Sequence, residues 1–304
     1  MANAVMTTGW SPKQLWPGLN KVWGDSYKEH TPEYMVLFDK STSEKNYEED
    51  VGISTFGLVP VKTEGSPVVY AAMNQQYVSR YTHITYALGF IITEEAMDDN
   101  LYMDVGSRGA KALAFSYNQS RENIAANVYN NGFSGGTTYG DGKTFFATDH
   151  PIEGGTFSNL LSPGADLSEA SLEQILININ SAVDATGKQI SLMGDVLVVP
   201  KQLQFDAKRI LGDSDRPGTA DRDINAMYHM GMFPGGFKVN HYLTDADAFF
   251  VRTNLRDAVR YFERKSAVFT NDNEFDTENA KFKCSGRYSV GVTDPRGSFA
   301  SQGA

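Results

Sequence analysis

The pattern of apolar and polar positions divides the chain into stretches of different periodicity. Residues 51–90 are rich in Val, Ile, Thr and Tyr, which favours strands, and Thr63–Pro67 has the composition of a turn. We expect β structure up to Lys62, a return from Val68, and a long strand over Tyr77–Phe90. This hairpin-like excursion is longer than a compact domain of this size would bury.

From Thr93 to Gly132 the apolar positions recur close to every 3.6 residues, which predicts one long helix. Thr93 precedes acidic residues, as is typical of a helix start, and Asn130-Asn131-Gly132 is typical of a helix end. At about 1.5 Å per residue the helix would be roughly 55 Å long. A bend is expected near Gly106 and Gly109.

Helix and strand patterns alternate over residues 166–255. Leu167–Ala185 is amphipathic with Ser168 as its expected cap, and Lys201–Leu211 is a second helix. Gly194–Pro200 is wholly apolar, which is typical of a strand buried on both faces. The segments FKVNHYL and AFFVRTN are further strands. The alternation predicts an α/β lobe.

The last part of the chain returns to a period of two. Lys281–Val292 has apolar residues at even positions and polar ones between, and Ala258–Phe269 is its predicted antiparallel partner. Cys284 lies on the apolar side, so we expect it to pack in a core and not to act as a catalytic thiol. A single cysteine also excludes an intrachain disulfide and favours a reducing compartment.

Residues 1–45 show no clear periodicity. They hold all three tryptophans together with Pro12, Pro17 and Pro32. Prolines at this density oppose a long helix, and aromatic residues at this density oppose simple disorder. We therefore expect an irregular arm that lies along another surface, either of its own chain or of a neighbour.

Composition narrows the class of protein. The formal net charge of -10 argues against tight binding of nucleic acid through basic patches, although an acidic surface can lie near nucleic acid without adhering. The N-terminus has no basic region followed by an apolar run, and no apolar stretch approaches the roughly 20 residues of a membrane helix. We expect a protein of the cytosol where it is made.

The stretch KTFFATDHPIEGG places Asp149 beside His150, which raises the question of an active site. The chain has no HExxH-like metal motif and no G-x-S-x-G, so neither a zinc site nor a serine nucleophile accompanies the pair. A local explanation is sufficient: Asp149 suits an Asx turn, and His150 precedes Pro151 and is biased to extended geometry. We expect a structural turn of these three residues, with no catalytic residue, metal or cofactor. A soluble hydrolase using Asp149 and His150 is the alternative.

The order of elements resembles the major capsid proteins of tailed bacteriophages with the Hong Kong 97-type fold, and within them the Mu-like major head subunits. Ala147–Pro151 is similar to the TDHP-type turn of that group, and Ser158–Leu161 to its SNLL-like segment. The terminal GRYSVGVTDPRG is similar to the closing strand of the family. The resemblance covers nearly the whole chain.

The resemblance implies an α+β fold with six parts. These are an N-terminal arm (1–45), an extended loop with the first peripheral strands (46–92), a spine helix (93–133), a Gly-rich connector with the TDHP turn (134–165), an axial α/β domain (166–255), and closing peripheral β strands with the C-terminus (256–304).

The resemblance also implies a structural protein and not an enzyme. Its copies would assemble as pentamers and hexamers into an icosahedral shell around phage DNA. Double-stranded DNA would lie nearby without specific binding, and no membrane would take part. The candidates for inter-subunit contact are Trp10, Trp16, Trp23, Lys62 and Glu64.

The chain lacks the charged helical N-terminal extension that some relatives use as a built-in scaffold. We therefore expect either a separate scaffolding protein or a processed subunit, together with a portal. The expected location is the virion, after assembly in the bacterial host cytoplasm. An encapsulin-like compartment shell of the same fold is a second alternative.

Overall fold

The computed structural model describes residues 12–93, 95–96, 102–214, 224–273 and 279–304. These residues form two compact units. The first takes the described residues of 1–32, 83–122 and 263–288, and the second takes those of 33–82, 123–262 and 289–304. The chain therefore passes between the units several times.

Helices and strands are both present, which confirms the predicted α+β class. The helices are α1 (Pro12–Glu29), α2 (Tyr102–Asn130), α3 (Glu169–Asn180), α4 (Gln204–Gly212) and α5 (Ala226–Met230). The strands are β1 (Asp39–Thr42), β2 (Tyr47–Ile53), β3 (Gln75–Thr82), β4 (Ile84–Ile92), β5 (His150–Ile152), β6 (Gly155–Phe157), β7 (Gly194–Pro200), β8 (Phe237–Asn240), β9 (Phe249–Thr253), β10 (Val259–Asn273), β11 (Ala280–Val292) and β12 (Ser298–Ser301).

Helix α1 corrects the expectation of an irregular N-terminal segment. Pro12 is its first residue, where a missing N–H costs nothing, and Pro17 removes only one intrahelical hydrogen bond. Leu19 and Trp23 are buried in the first unit. This apolar packing supplies the stability that the local sequence does not, because most helical stability in proteins comes from tertiary contacts.

Two glycines bring neighbouring elements close to α2 in the first unit. A Cβ on Gly106 would lie 3.2 Å from Ile92 and 3.4 Å from Leu19, and one on Gly109 would lie 3.0 Å from the Phe90 ring. The predicted bend there stays a prediction. The helix ends at Asn130, as expected.

The predicted start of this helix is only partly described. Thr93 Oγ1 accepts the Ala96 backbone N–H at 3.4 Å, as a capping residue does. Residues 94 and 97–101 of the predicted helix lie outside the described part of the chain.

In the first unit, β11 lies between β10 and β4, and the predicted alternation is confirmed. Strand β11 pairs antiparallel with β4, from Ala280 opposite Ile92 to Tyr288 opposite Ile84. The even-numbered residues over this range are buried, and the odd-numbered ones are half-buried or exposed. Cys284 is fully buried, and burial raises the pKa of its thiol to about 12. The thiol therefore packs in the core in its neutral form.

Gly286→Ala is expected to lower the free energy of unfolding of the unassembled subunit by about 2 kcal/mol, the usual cost of overpacking. The added methyl group would lie 1.9 Å from the hydroxyl oxygen of Tyr117, so this ring would have to move. Urea unfolding measures the change. Gly155→Ala in β6 is the matched control, because a Cβ there meets open space. Equal losses in the two variants would contradict the prediction.

The second unit contains the predicted α/β lobe, with sheet order β12-β9-β7-β8. Strand β7 runs parallel to β8 and antiparallel to β9. Ser168 caps α3 as predicted, because its Oγ accepts the Ser171 backbone N–H at 3.2 Å. The core between α3 and the sheet includes Leu172, Ile175, Ile179, Leu197, Val199, Phe249 and Val251.

Three predicted boundaries in this lobe were wrong. Helix α4 begins at Gln204 and not at Lys201. Helix α3 ends at Asn180 and not at Ala185, because Val183 and Gln189 bridge to close a turn. Strand β8 ends at Asn240, where His241 binds Glu33 through its backbone N–H at 2.8 Å and its Nδ1 at 2.7 Å. Strand β12, which pairs antiparallel with β9, has no counterpart among the predicted strands.

The C-terminal end of α2 contributes Tyr129 to an aromatic core in the second unit. The Tyr129 hydroxyl donates to the Leu37 carbonyl oxygen at 3.0 Å, and burial raises the pKa of Tyr129 to about 12. Its ring lies 5.2 to 5.9 Å, between centroids, from those of Phe38, Phe145, Phe146 and Phe250. This core supports the segment that follows α2.

Candidate assembly surface and connector

Residues 55–73, called the extended loop below, lie between β2 and β3 in the second unit. Ser54 and Asn74 close the base: the Ser54 N–H donates to the Asn74 carbonyl oxygen at 2.9 Å, and the Asn74 N–H donates to Ser54 Oγ at 2.8 Å. Apart from a turn, the loop has no regular secondary structure.

The strands predicted up to Lys62 and from Val68 were therefore wrong, since β2 ends at Ile53 and β3 begins at Gln75. Pro60 and Pro67 cannot donate to a ladder, and a two-stranded ribbon without a covered face is only marginally stable. The single strand predicted over Tyr77–Phe90 was wrong as well, since it is broken between β3, which pairs with β2, and β4, which pairs with β11.

The turn at the tip of the loop is confirmed. The Ser66 N–H donates to the Thr63 carbonyl oxygen at 3.1 Å, and Gly65 has φ +80, a left-handed conformation that suits glycine. Lys62 and Glu64 are both exposed here.

The two arms of the extended loop expose large apolar side chains. Leu58 is 84% exposed, Val59 94%, Val61 94% and Tyr70 93%. Burying apolar surface contributes about 25 cal/mol per Å². A loop that exposes several such side chains is suited to contact with another protein surface.

Trp23, another candidate for inter-subunit contact, is buried, unlike the apolar side chains of the extended loop. Trp23 is only 7% exposed and stacks on Tyr27 and Phe269 within the first unit, with ring centroids 5.0 and 5.7 Å away. Its side chain is therefore used inside its own subunit. Trp10 and the side chain of Trp16 lie outside the described part of the chain.

Asp149 and His150, adjacent in sequence, have different partners in the structure. The Asp149 carboxylate is exposed and pairs with Lys143, which lowers the pKa of Asp149. His150 is buried, and its Nδ1 lies 2.7 Å from Oδ2 of Asp141. Its Nε2 lies 3.3 Å from the Phe145 carbonyl oxygen. The carboxylate that contacts the histidine is thus Asp141, which the sequence analysis missed.

The Asp141–His150 pair is closed to solvent. The two side chains are only 1% and 3% exposed, respectively. Asp141 Oδ1 also accepts the Lys143 backbone N–H at 2.8 Å. Both ring nitrogens lie within hydrogen-bond distance of acceptor oxygens of the protein. His150 begins strand β5, which confirms its extended geometry.

Asn159 is a second buried polar residue that the sequence analysis did not single out. Its Oδ1 accepts the Ala147 backbone N–H at 3.0 Å. Its Nδ2 lies 2.8, 3.0 and 3.2 Å from the carbonyl oxygens of Phe145, Pro295 and Ser298. The available signal was an amide side chain directly before the apolar pair Leu160 and Leu161.

No group of three or more His, Cys, Asp or Glu side chains in the described ranges could hold a metal ion. Among the helices that the structure describes, none has both the length and the apolar character needed to cross a membrane.

The structural comparisons show similarity to shell-forming proteins. A virus-like particle from Pyrococcus furiosus has a TM-score of 0.54 and 8% identity, over 94% of this chain and 98% of that chain. The capsid of Myoviridae phage XM1 has a TM-score of 0.51 and 13% identity, over 86% and 89%. Mycobacterium phage Patience has a TM-score of 0.51 and 12% identity, over 97% and 89%. Identities this low show the fold alone, which is the Hong Kong 97-type fold.

The family assignment rests on the sequence. The family described as phage capsid protein matches residues 76–301, which run from the second residue of β3 to the end of β12. No curated protein matches the chain. The match favours a phage head subunit over an encapsulin-like compartment shell. This chain belongs to the phage capsid protein family and is a structural major capsid subunit, a component of the virion.

Proposed function

We propose that the subunit assembles through pentamers and hexamers into an icosahedral shell, and that the extended loop makes the contact between neighbouring copies. The observation that carries the proposal is the exposure of Leu58, Val59, Val61 and Tyr70 on a loop whose base is closed by hydrogen bonds. An isolated monomer gains nothing from such a loop, whereas a shell subunit buries surface on several neighbours. Lys62 and Glu64, exposed at the tip, would lie in the same interface.

The other parts of the chain have proposed roles in the same shell. Residues 1–45 are the N-terminal arm, 93–133 the spine helix, 134–165 the connector and 256–304 the closing peripheral region. The axial domain, 166–255, would meet other copies around fivefold and sixfold positions. Helices α4 and α5 contact each other and expose Phe205 and Met230, which supports an interface at this part of the lobe.

In the connector, we propose that Asp149, His150 and Pro151 have a structural role. The burial of His150 against Asp141 supports it, because a closed pair has no access to a substrate.

The remaining partners are those of a phage head. The net charge of -10 supports a wall that packaged double-stranded DNA touches without specific binding. Assembly would take place in the host cytoplasm with a portal and a separate scaffolding protein. The TDHP-type and SNLL-like segments support a place among the Mu-like subunits.

The test is assembly of a loop variant. Leu58→Ser, Val59→Ser and Val61→Ser combined are expected to abolish shells and rings, leaving small oligomers, because the apolar contact area is lost. Sedimentation and negative-stain microscopy of the protein expressed alone and with its neighbouring genes measure this. Val105→Ser is the control, since Val105 is exposed on α2, outside both the extended loop and the axial domain.

Two results would contradict the proposal. One is a triple variant that assembles as well as the wild type. The other is a wild-type protein that stays a small oligomer even with the neighbouring genes present.

A further inference from the structure

The first two residues of the extended loop are held by a charged pair in the α/β lobe. Thr55 Oγ1 donates to Oδ2 of Asp184 at 2.5 Å. Lys188 Nζ donates to the carbonyl oxygen of Phe56 and lies 3.3 Å from the same Asp184 oxygen. The loop is therefore attached beyond its base at Ser54 and Asn74.

The turn that carries this pair is itself fixed. Asp184 Oδ1 accepts the backbone N–H groups of Thr186 at 2.9 Å and Lys188 at 2.8 Å. The Glu153 N–H donates to the Ala185 carbonyl oxygen at 2.9 Å, which ties the turn to the β5–β6 connection. A rigid support of this kind can hold a loop in one direction.

Asp184 is suited to this role because it stays ionised. Burial opposes its ionisation, but hydrogen bonds from Thr55, Thr186 and Lys188 outweigh burial and hold the pKa of Asp184 well below its usual range. Hydrogen bonds to a charged acceptor are stronger than those between neutral groups.

We propose that Asp184 is the positioning residue of the extended loop. Together with Lys188 it fixes the direction in which the loop leaves the lobe, so that Leu58, Val59 and Val61 are presented before a second copy arrives. Ordering the loop in advance reduces the entropy lost on association, so assembly is faster. The identity of the partner as a second copy rests on the proposed function, whereas the position of the loop in a free subunit does not.

Thr55→Val is the test variant, because it removes the loop hydroxyl while retaining side-chain shape and all groups of the supporting turn. Thr63→Val is the matched control: the same change at the tip of the same loop, where the hydroxyl contacts Ser66 Oγ at 2.6 Å.

The direct readout is a distance between two nitroxide labels in unassembled full-length subunits. One label is placed through Val59→Cys on the loop and the other through Gln174→Cys on the exposed side of α3. The native Cys284 is fully buried, and a chain without added cysteines checks that it remains unlabelled. Thr55→Val is expected to widen the distance distribution by about twofold, as the loss of a hydrogen bond to a charged group frees the loop. Thr63→Val should leave the distribution unchanged. An unchanged width in Thr55→Val, or an equally broad distribution in the wild type, would overturn the proposal.

Assembly followed by light scattering tests the consequence. Thr55→Val is expected to slow assembly by about tenfold, the factor that corresponds to one such hydrogen bond. A widened distribution with an unchanged assembly rate would overturn the link between loop order and assembly. If the wild type does not assemble at all and the distribution still widens, the proposed function fails and the positioning role of Asp184 stands.

Discussion

Asn159→Ala is expected to lower the free energy of unfolding of the unassembled subunit by about 4 kcal/mol. The amide side chain accepts the Ala147 N–H and lies within hydrogen-bond distance of three carbonyl oxygens. Two of these, from Pro295 and Ser298, belong to the C-terminal segment. Alanine would remove these hydrogen bonds from the interior, and the loss of the partner of a buried group costs about 1–3 kcal/mol. Urea unfolding followed by circular dichroism measures the change.

Two further variants sharpen this experiment. Asn159→Asp retains the acceptor but turns a carboxylate oxygen toward three carbonyl oxygens, so we expect at least as large a loss. Asn178→Ala removes an amide on α3 that bonds only to the Gln174 side chain among the contacts described, at 3.0 Å, and should change stability by less than about 0.5 kcal/mol. A similar loss in Asn178→Ala and Asn159→Ala would contradict the role given to Asn159.

His150→Ala is expected to have the second large effect, a loss of about 4 kcal/mol in the free energy of unfolding. The substitution leaves the Asp141 carboxylate buried without the ring that contacts it at 2.7 Å. An unpaired buried charge is far more costly than a missing surface contact. Thermal and urea unfolding of the unassembled variant measure the loss.

Asp149→Ala is the matched control from the adjacent position. Its carboxylate is exposed and pairs with Lys143 at the surface, so its removal should leave the free energy of unfolding nearly unchanged. An equal loss of stability in Asp149→Ala and His150→Ala would contradict the prediction, because the effect would then not depend on the contact between His150 and Asp141. A His150→Ala protein that keeps its stability and assembly but loses a hydrolytic activity would instead restore the enzyme alternative.

The periodic segments of the chain were predicted in type because burial on one face leaves a direct record in sequence. Helix α2, the apolar strand β7 and the alternating strand β11 are examples. The N-cap of α3 could also be predicted from the sequence, since the capping hydrogen bonds of Ser168 are to Ser171, only three positions away. Boundaries were less secure: α3 stops at Asn180 because a bridged turn, which periodicity does not record, follows it.

The N-terminal segment and the extended loop show the opposite case. Helix α1 has two prolines and was not predicted, because its stability comes from burial of Leu19 and Trp23 against other parts of the first unit. The loop has β-rich composition but no strands, because composition does not guarantee a neighbouring strand to pair with. The first error arises from contacts that lie far away in sequence, and the second from the absence of a partner strand or covered face for the loop.

In the candidate site, too, some features were predicted from the sequence and others are visible only in the structure. The TDHP and SNLL segments were recognised as a resemblance, but their physical connection, the hydrogen bond from Ala147 to Asn159, is visible only in the folded chain. The contact between Thr55 and Asp184 joins residues 129 positions apart, and no local pattern announces it.

By itself the sequence determined the α+β class, the long helix, the α/β lobe and the family, since these depend on periodicity and on the order of segments along the chain. Only the tertiary structure decided that His150 pairs with Asp141 and not with its neighbour Asp149, that Asn159 binds the C-terminal segment, and that Asp184 holds the extended loop. The physical reason is that burial periodicity is a local property of the chain, whereas the partner of a buried polar group is set by which distant segments the core brings within hydrogen-bond distance.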